Sequence, residues 1–393
     1  MRKFVIIAVL FFMTNSHLIS QVKKMEKLQN KLEELRSEYA PDSRVALFEF
    51  TIDQDKKIVN IKTDKAEAAK KLSLFQGSIS GYKINLELLP SEDLGNNVYG
   101  IINLSVANLR KEPKHAAELV SQALLGTPVK VLEKSGDWYR IQTPDNYISW
   151  TDDDALVLMD FQRYDEWKLS PKVIFTKEYG FAFESPDGNS KHVSDLVIGN
   201  ILKLVKADGQ FYQIEYPDGR VGYIPNEDCA DYSKWIKKVE TNPAEILNTA
   251  YKFIGLPYLW GGTSSKGFDC SGFTKTVYFL NGIMLPRDAS QQVLTGETVD
   301  TKNGFENLQP GDLLFFGRKA EKDNPEKVTH VAIYIGNMEY IHASGKVKIN
   351  SLDPKAKNFS EYRLNSFIRA QRILNSINNN GIETVEINQF FGE

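Results

Sequence analysis

Apolar and polar positions change rhythm several times along the chain, and each rhythm predicts an element. An apolar run from Phe4 to Met13 follows Arg2 and Lys3 and then turns polar, the layout of a secretory signal peptide with removal expected near Ser20. The run is well short of the ~20 residues that span a bilayer, so no lasting membrane anchor is expected. No cysteine follows it to carry a lipid. From Lys23 to Tyr39, Met25, Leu28, Leu32 and Leu35 recur at three- and four-residue spacing among lysines and glutamates, which predicts an amphipathic helix. Two apolar-rich runs flank Asp53 to Lys56 and predict a hairpin. KAEAAKKLSLF then reads as a helix and YKINLELLP as a strand, so residues 21–98 are expected to form a small α/β unit with no catalytic pattern.

The next region repeats itself. Residues 124–156 align without a gap on the segment 73 positions later, pairing Gly126 with Gly199, Gly136 with Gly209, Tyr139 with Tyr212, Ile141 with Ile214 and Pro144-Asp145 with Pro217-Asp218. Each copy alternates apolar and polar residues (VKVLEKSGDWYRIQT, ILKLVKADGQFYQIEY) around a glycine turn and ends in a short aromatic run. Short strands separated by Gly and Asp turns predict a small barrel. With VANLRKEP opening the first copy, the two units resemble bacterial SH3 domains.

Beyond a linker near Lys237 to Pro243, a helix is expected over Ala244 to Ile254, with Pro243 suited to its start. The text then turns rich in Gly, Ser and aromatics: LPYLWGGTSSKGFDCSGFTKTVYFLNGIMLPRDAS. At 393 residues the chain calls for more than one domain, and its formal net charge of -3 gives no footprint for nucleic acid. Only two cysteines, Cys229 and Cys270, are present, too few for a disulfide framework. A single bridge between them is one alternative. The other is a reactive Cys270 with Cys229 as a small apolar residue.

Taken alone, the residues around Cys270 describe a nucleophile. Gly261, Gly262 and Gly267 make a turn-rich approach, and Phe273, Val277, Tyr278 and Leu280 form a helical stripe behind it, so Cys270 is expected at a helix N-terminus. There the dipole and backbone N–H groups favour a thiolate and can hold an oxyanion, and Asp269 is placed to cap the helix. A thiolate needs a proton carrier. Of the five histidines, His17 falls in the signal segment, while His115 and His192 are expected on loops of the repeats. His330 heads the strand-like HVAIYIG and His342 lies in EYIHAS, so adjacent antiparallel strands would bring the two rings together. A lone cysteine before a helix is otherwise an inert core residue. One cysteine with two histidines is also a zinc ligand set, although no C-x-x-C pair supports it.

The ordered set PYLWGG, FDCSGF, LPRDAS, LQPGDLLFF, HVAIYIG and YIHAS resembles the NlpC/P60 family of papain-like cysteine peptidases over roughly Pro243 to Ile373. Within it the arrangement is most similar to the γ-D-glutamyl-L-diamino acid endopeptidases, or dipeptidyl-peptidases VI, which carry two SH3-like domains ahead of the catalytic one. The resemblance implies a multidomain chain. Its parts are a signal peptide at 1–20, the α/β unit at 21–98, SH3-like β-barrels at 99–160 and 161–236, a papain-like α+β domain at 243–373 and a tail at 374–393.

The same resemblance implies Cys270 as nucleophile, His330 as base and His342 as the third polar residue. It implies Tyr258 and Trp260 as pocket walls, Asp269 and Ser271 as contacts to a peptide, and Asp288 near the peptide's amino end. Relatives often have serine after that aspartate, where this chain has Ala289 followed by Ser290. Glu118 and Tyr147 best match the residues with which the first SH3-like domain reads a free L-alanine amine. The implied substrate is a murein tripeptide or tetrapeptide, cleaved after γ-D-glutamate without metal or cofactor, in the periplasm, the cell envelope or outside the cell. Rival readings are an amidase or acyltransferase on the same fold, or a wall-binding protein without activity.

Overall fold

The computed structural model describes residues 22–75 and 78–392, so the signal segment lies outside the described residues. Among those residues no helix is long and apolar enough to cross a membrane. The chain divides into two compact units, Met1–Gly95 and Asn96–Glu393.

In the first unit the expected helix runs over 22–39 and buries Leu28, Leu32 and Leu35. Strands Phe48–Asp53 and Ile58–Thr63 make the expected antiparallel hairpin. The second of them pairs in parallel with Tyr82–Leu88. A parallel pair needs a crossover, and helix Ala66–Ser73 provides it, burying Ala68 and Leu72 against Val59 and Ile61.

The second unit holds both repeats and the segment that carries Cys270. Each repeat is a seven-stranded sheet, and the 73-residue offset extends to every strand of both. Tyr99–Ile102 answers Lys172–Phe175, Pro128–Ser135 answers Ile201–Asp208, and Ile148–Asp152 answers Val221–Pro225. The spatial order of corresponding strands is also the same. In neither sheet do the first and last strands of that order pair with each other, so the hydrogen-bond ladder of the expected barrel stays open. Turn residues Gly136 and Gly209 take φ of +58° and +62°, which accounts for glycine at equivalent places in both copies. One expectation fails here: His192 begins strand His192–Val197 and stacks on Phe181 rather than lying in a loop.

Downstream, Asn242 caps helix Pro243–Lys252, with Pro243 at its first turn. A six-stranded antiparallel sheet follows, ordered Glu297–Val299, Phe367–Arg372, Leu313–Arg318, Lys327–Gly336, Glu339–Ser344, Lys346–Ser351. Alternation along these strands splits the core in two. Leu313, Phe315, Val331, Ile333, Ile341 and Ala343 face the helices that carry Ile246, Phe273 and Val277. Leu314, Phe316, Ala332, Tyr334 and Tyr340 form a second cluster with Phe367.

The tail fastens these parts together. Its strand Glu383–Thr384 pairs with Ile283–Met284, and Phe391 packs among Ile174, Ile201, Tyr232 and Met284. Asn388 Nδ2 donates to Pro144 O in the first repeat at 3.0 Å. Non-local packing of this kind leaves no periodic trace in the sequence.

Candidate active site

Cys270 begins helix Cys270–Phe279, which buries Phe273, Val277 and Tyr278 completely. Asp269 is the N-cap in extended conformation, its Oδ1 accepting from Gly272 N at 2.7 Å. Its other oxygen accepts from Gly261 N at 3.0 Å. Both oxygens also receive Arg287, through Nη2 at 2.6 Å and Nη1 at 3.2 Å. Arg287 is 1 % exposed and also donates to Ser271 Oγ and Ser121 Oγ, each at 3.0 Å. Burial opposes the charge of Arg287, and the Asp269 carboxylate overcomes it, raising the guanidinium pKa further. One buried ion pair therefore fixes the turn before the cysteine and ties it to the first repeat.

Opposite the cysteine lie the two histidine strands. His330 Nε2 and His342 Nδ1 are 2.7 Å apart, and His342 Nε2 is 3.0 Å from Asn350 Oδ1. The amide of Asn350 is itself oriented, since Nδ2 donates to Asn358 O at 2.8 Å. The tautomers follow in sequence. Asn350 Oδ1 must accept from His342 Nε2–H, the neutral His342 then offers its Nδ1 lone pair, and His330 donates Nε2–H to it. His330 is left with its lone pair on Nδ1, a nitrogen able to accept a proton.

Burial pushes the Cys270 thiol up to about 11, and Asp269 acts in the same direction. The N–H of Val331, the residue after His330, hydrogen-bonds the sulfur and opposes the rise, as do the Arg287 cation and the Ser271 N–H. Burial likewise holds His330 well below the usual imidazole range, helped by Arg363, His342 and Lys348. It lowers His342 to about 4, against the Asn350 hydrogen bond that favours its charged form. The helix-start donors expected to favour a thiolate are in place, and desolvation works against them.

Of the other predicted residues, two meet directly and the rest are placed singly. Trp260 is 62 % exposed and donates from Nε1 to Glu118 Oε1 at 3.0 Å, so these two come together across the join with the first repeat. Tyr147 is buried, and its charge interaction with Arg287 places it near the same join. Tyr258 is half-buried and pushed up to about 12 by desolvation, then by Cys270. Ser271 is buried and held by Arg287. Asp288 is half-buried and starts the short helix Ala289–Gln292, with Gln291 Oε1 accepting from its N–H at 3.1 Å. Ala289 is buried and Ser290 is exposed. His115 lies outside the site, 3.5 Å from Asp152. Both cysteines are free thiols, with Cys229 half-buried and pushed by burial up to about 12.

Three residues escaped the sequence reading. Arg287 sits inside the LPRDAS motif, where attention went to the aspartate. Asn350 carries no motif, and only its register opposite Tyr340 on the neighbouring strand betrays it. Arg363 lies on helix Glu361–Ser366, outside all six motifs.

Comparison with known proteins agrees with this geometry. The NlpC/P60 family matches residues 255–369, and the bacterial dipeptidyl-peptidase SH3 domain matches residues 109–156. The chain is 36 % identical over 238 residues to a gamma-D-glutamyl-L-lysine dipeptidyl-peptidase of Bacillus cereus, covering 58 % of this chain and 68 % of that one. It is 30 % identical over 269 residues to dipeptidyl-peptidase 6 of Lysinibacillus sphaericus, covering 64 % and 91 % respectively. A solved NlpC/P60 family structure from Bacillus cereus superposes with a TM-score of 0.60 at 28 % identity, covering 70 % of this chain and 99 % of that one. A shared sequence, a shared fold and a cysteine helix set against paired histidine strands converge: the chain belongs to the NlpC/P60 family of cysteine peptidases.

Proposed function

We propose that the chain hydrolyses the bond between γ-D-glutamate and the diamino acid in peptidoglycan stem peptides, as an exported enzyme of the periplasm or cell envelope. The observation that carries this reading is the hydrogen-bonded run from Asn350 through His342 to His330, which leaves one basic nitrogen on the strand whose next N–H reaches the Cys270 sulfur. The names of the relatives supply the bond.

In this reading Cys270 Sγ attacks the γ-carbonyl carbon as its proton passes to His330 Nδ1. Burial favours the neutral thiol and the neutral imidazole, so proton transfer accompanies attack rather than preceding it. Backbone N–H groups at the helix start hold the oxyanion. His330 then protonates the departing amine, the C–N bond breaks, and a thioester remains on Cys270. Water, deprotonated by His330, releases L-Ala-γ-D-Glu and restores the thiol. Glu118, with Tyr147 near it at the join, provides the negative end that selects a free L-alanine ammonium. Released tripeptides and tetrapeptides are therefore the substrates rather than intact wall.

The test is to incubate the protein with L-Ala-γ-D-Glu-diaminopimelate and to identify products by mass spectrometry. Free diaminopimelate with L-Ala-γ-D-Glu is the expected result. Release of alanine, or cleavage that persists after Cys270 is alkylated by iodoacetamide, overturns the reading.

A further inference from the structure

Among the described residues, Arg363 is the one arginine whose guanidinium has neither a carboxylate nor a carbonyl partner. The others close on acids, as Arg140 does on Glu133 and Arg372 on Asp312, or on backbone oxygens, as Arg110 does on Ala117. Arg363 instead lies over two rings, 5.5 Å from the Phe316 centroid and 5.3 Å from that of Tyr362. Phe316 is in turn 5.9 Å from the His330 ring and 5.6 Å from Tyr340. A half-buried cation thus stands one aromatic ring away from the catalytic base. Its charge bears on Cys270, Tyr258, His330 and His342 together.

This placement costs something unless an anion arrives. Burial lowers the Arg363 pKa, and it is opposed only by the phenols of Tyr340, Tyr362 and Tyr258 and the Cys270 thiol, with no carboxylate among them. The cation also disfavours protonation of the base that must accept the thiol proton. An anionic ligand removes both penalties at once, satisfying the guanidinium and relieving His330 at the moment substrate binds.

We propose that Arg363 is a specificity-determining residue that pairs with a carboxylate carried by the leaving group of the substrate. The side of the scissile bond follows from the arrangement, and the assignment rests on the reaction proposed above. Glu118, Trp260 and Arg287 crowd the join with the first repeat, where the acyl portion ends in its free amine. Arg363 lies on the histidine side, where the departing amine is protonated. A diamino acid at the C-terminus of a tripeptide has its α-carboxylate two bonds from that nitrogen. When a further residue follows, as in a tetrapeptide, that carboxylate becomes an amide. The proposal therefore makes the enzyme favour tripeptides over tetrapeptides.

The experiment has two arms. In the first, kcat/KM is measured for L-Ala-γ-D-Glu-L-Lys and for the same peptide with a C-terminal amide, using wild type, Arg363→Lys and Arg363→Met. A charge-assisted hydrogen bond predicts a wild-type preference for the acid of about tenfold or more. The preference should fall towards unity in Arg363→Met and be partly kept in Arg363→Lys. In the second arm, Cys270 is alkylated with iodoacetate and with iodoacetamide, and modification is followed by mass spectrometry. The anionic reagent should lose rate relative to the neutral one in Arg363→Met, while iodoacetamide reports that the site is intact. Equal cleavage of acid and amide by wild type overturns the leaving-group assignment. An unchanged reagent ratio overturns the anion site itself. If neither peptide is cleaved the proposed reaction fails, and the reagent ratio still decides whether Arg363 reads anions.

Discussion

Trp260 Nε1 donates to Glu118 Oε1 over 3.0 Å, so one residue of the catalytic domain orients the carboxylate of another on the first repeat. The second oxygen, Oε2, lies 3.7 Å from Lys111 Nζ. An oriented carboxylate beside an exposed indole suits an ammonium group better than a mobile one does, because less freedom is lost on pairing.

Wild type should accordingly prefer L-Ala-γ-D-Glu-diaminopimelate to its N-acetylated form. Breaking such a charge pair from one side costs about 2 to 5 kcal/mol, or roughly thirtyfold to several thousandfold in kcat/KM. Glu118→Gln should narrow that preference by lowering kcat/KM for the free peptide alone. Equal rates for both peptides in wild type would remove the first repeat from amine recognition.

The histidine run predicts a graded series. His330→Gln should retain almost no activity, since the base is gone. His342→Gln should retain part, because an amide still hydrogen-bonds the imidazole. Asn350→Ala should lower kcat by about tenfold, the loss of one neutral hydrogen bond, with KM little changed. Steady-state kinetics on the tripeptide separates these cases, and identical losses in all three would break the assigned order.

Cys270→Ala should abolish turnover and leave the circular dichroism spectrum unchanged. The thiol, pushed up to about 11, sets the pH dependence of its alkylation. Since thiolate is the reactive form, iodoacetamide should modify Cys270 about tenfold faster per pH unit from pH 6 to 9. Cys229, pushed higher to about 12, should lag throughout. A plateau reached near pH 5 would instead indicate a resting thiolate–imidazolium pair.

Arg287→Met leaves the buried Asp269 carboxylate without its partner and should destabilise the protein by about 3 to 5 kcal/mol in urea unfolding. Adding Asp269→Asn removes the stranded charge and should recover part of that loss. If the double variant is as unstable as the single effects combined, the two side chains are not coupled.

Much of this molecule is legible in its sequence because much of it is periodic. The 73-residue offset foretells strand after strand, since Gly136 and Gly209 mark turns and the alternating runs between them have one buried face. His330 and His342 are legible for the same reason: each sits in an apolar strand where a polar ring needs a partner. Arg363 is opaque because its significance is the lack of a carboxylate partner among the described residues, which only tertiary structure reveals. The burial that opposes a Cys270 thiolate is not legible, because a helix start is a local feature whereas that burial comes from strands some sixty residues later. The tail was illegible because Phe391 and Asn388 act only through residues far away in the chain.

The repeats and the catalytic segment look in sequence like beads that could be restrung. Gln122 argues otherwise. Its side-chain oxygen accepts from Thr263 N and from Ser264 Oγ, each at 3.0 Å, and its backbone oxygen accepts from Thr263 Oγ1 at 2.9 Å, all in buried surroundings. At the same seam Gly261 takes φ +79°, and a methyl group there would stand 2.4 Å from Leu119 O. A foreign repeat spliced ahead of this catalytic domain would have to reproduce a glutamine at that one position and tolerate a contact with no room for a methyl group. The two halves can therefore be exchanged between relatives only as a matched set, and their evolutionary histories should be correlated across this seam.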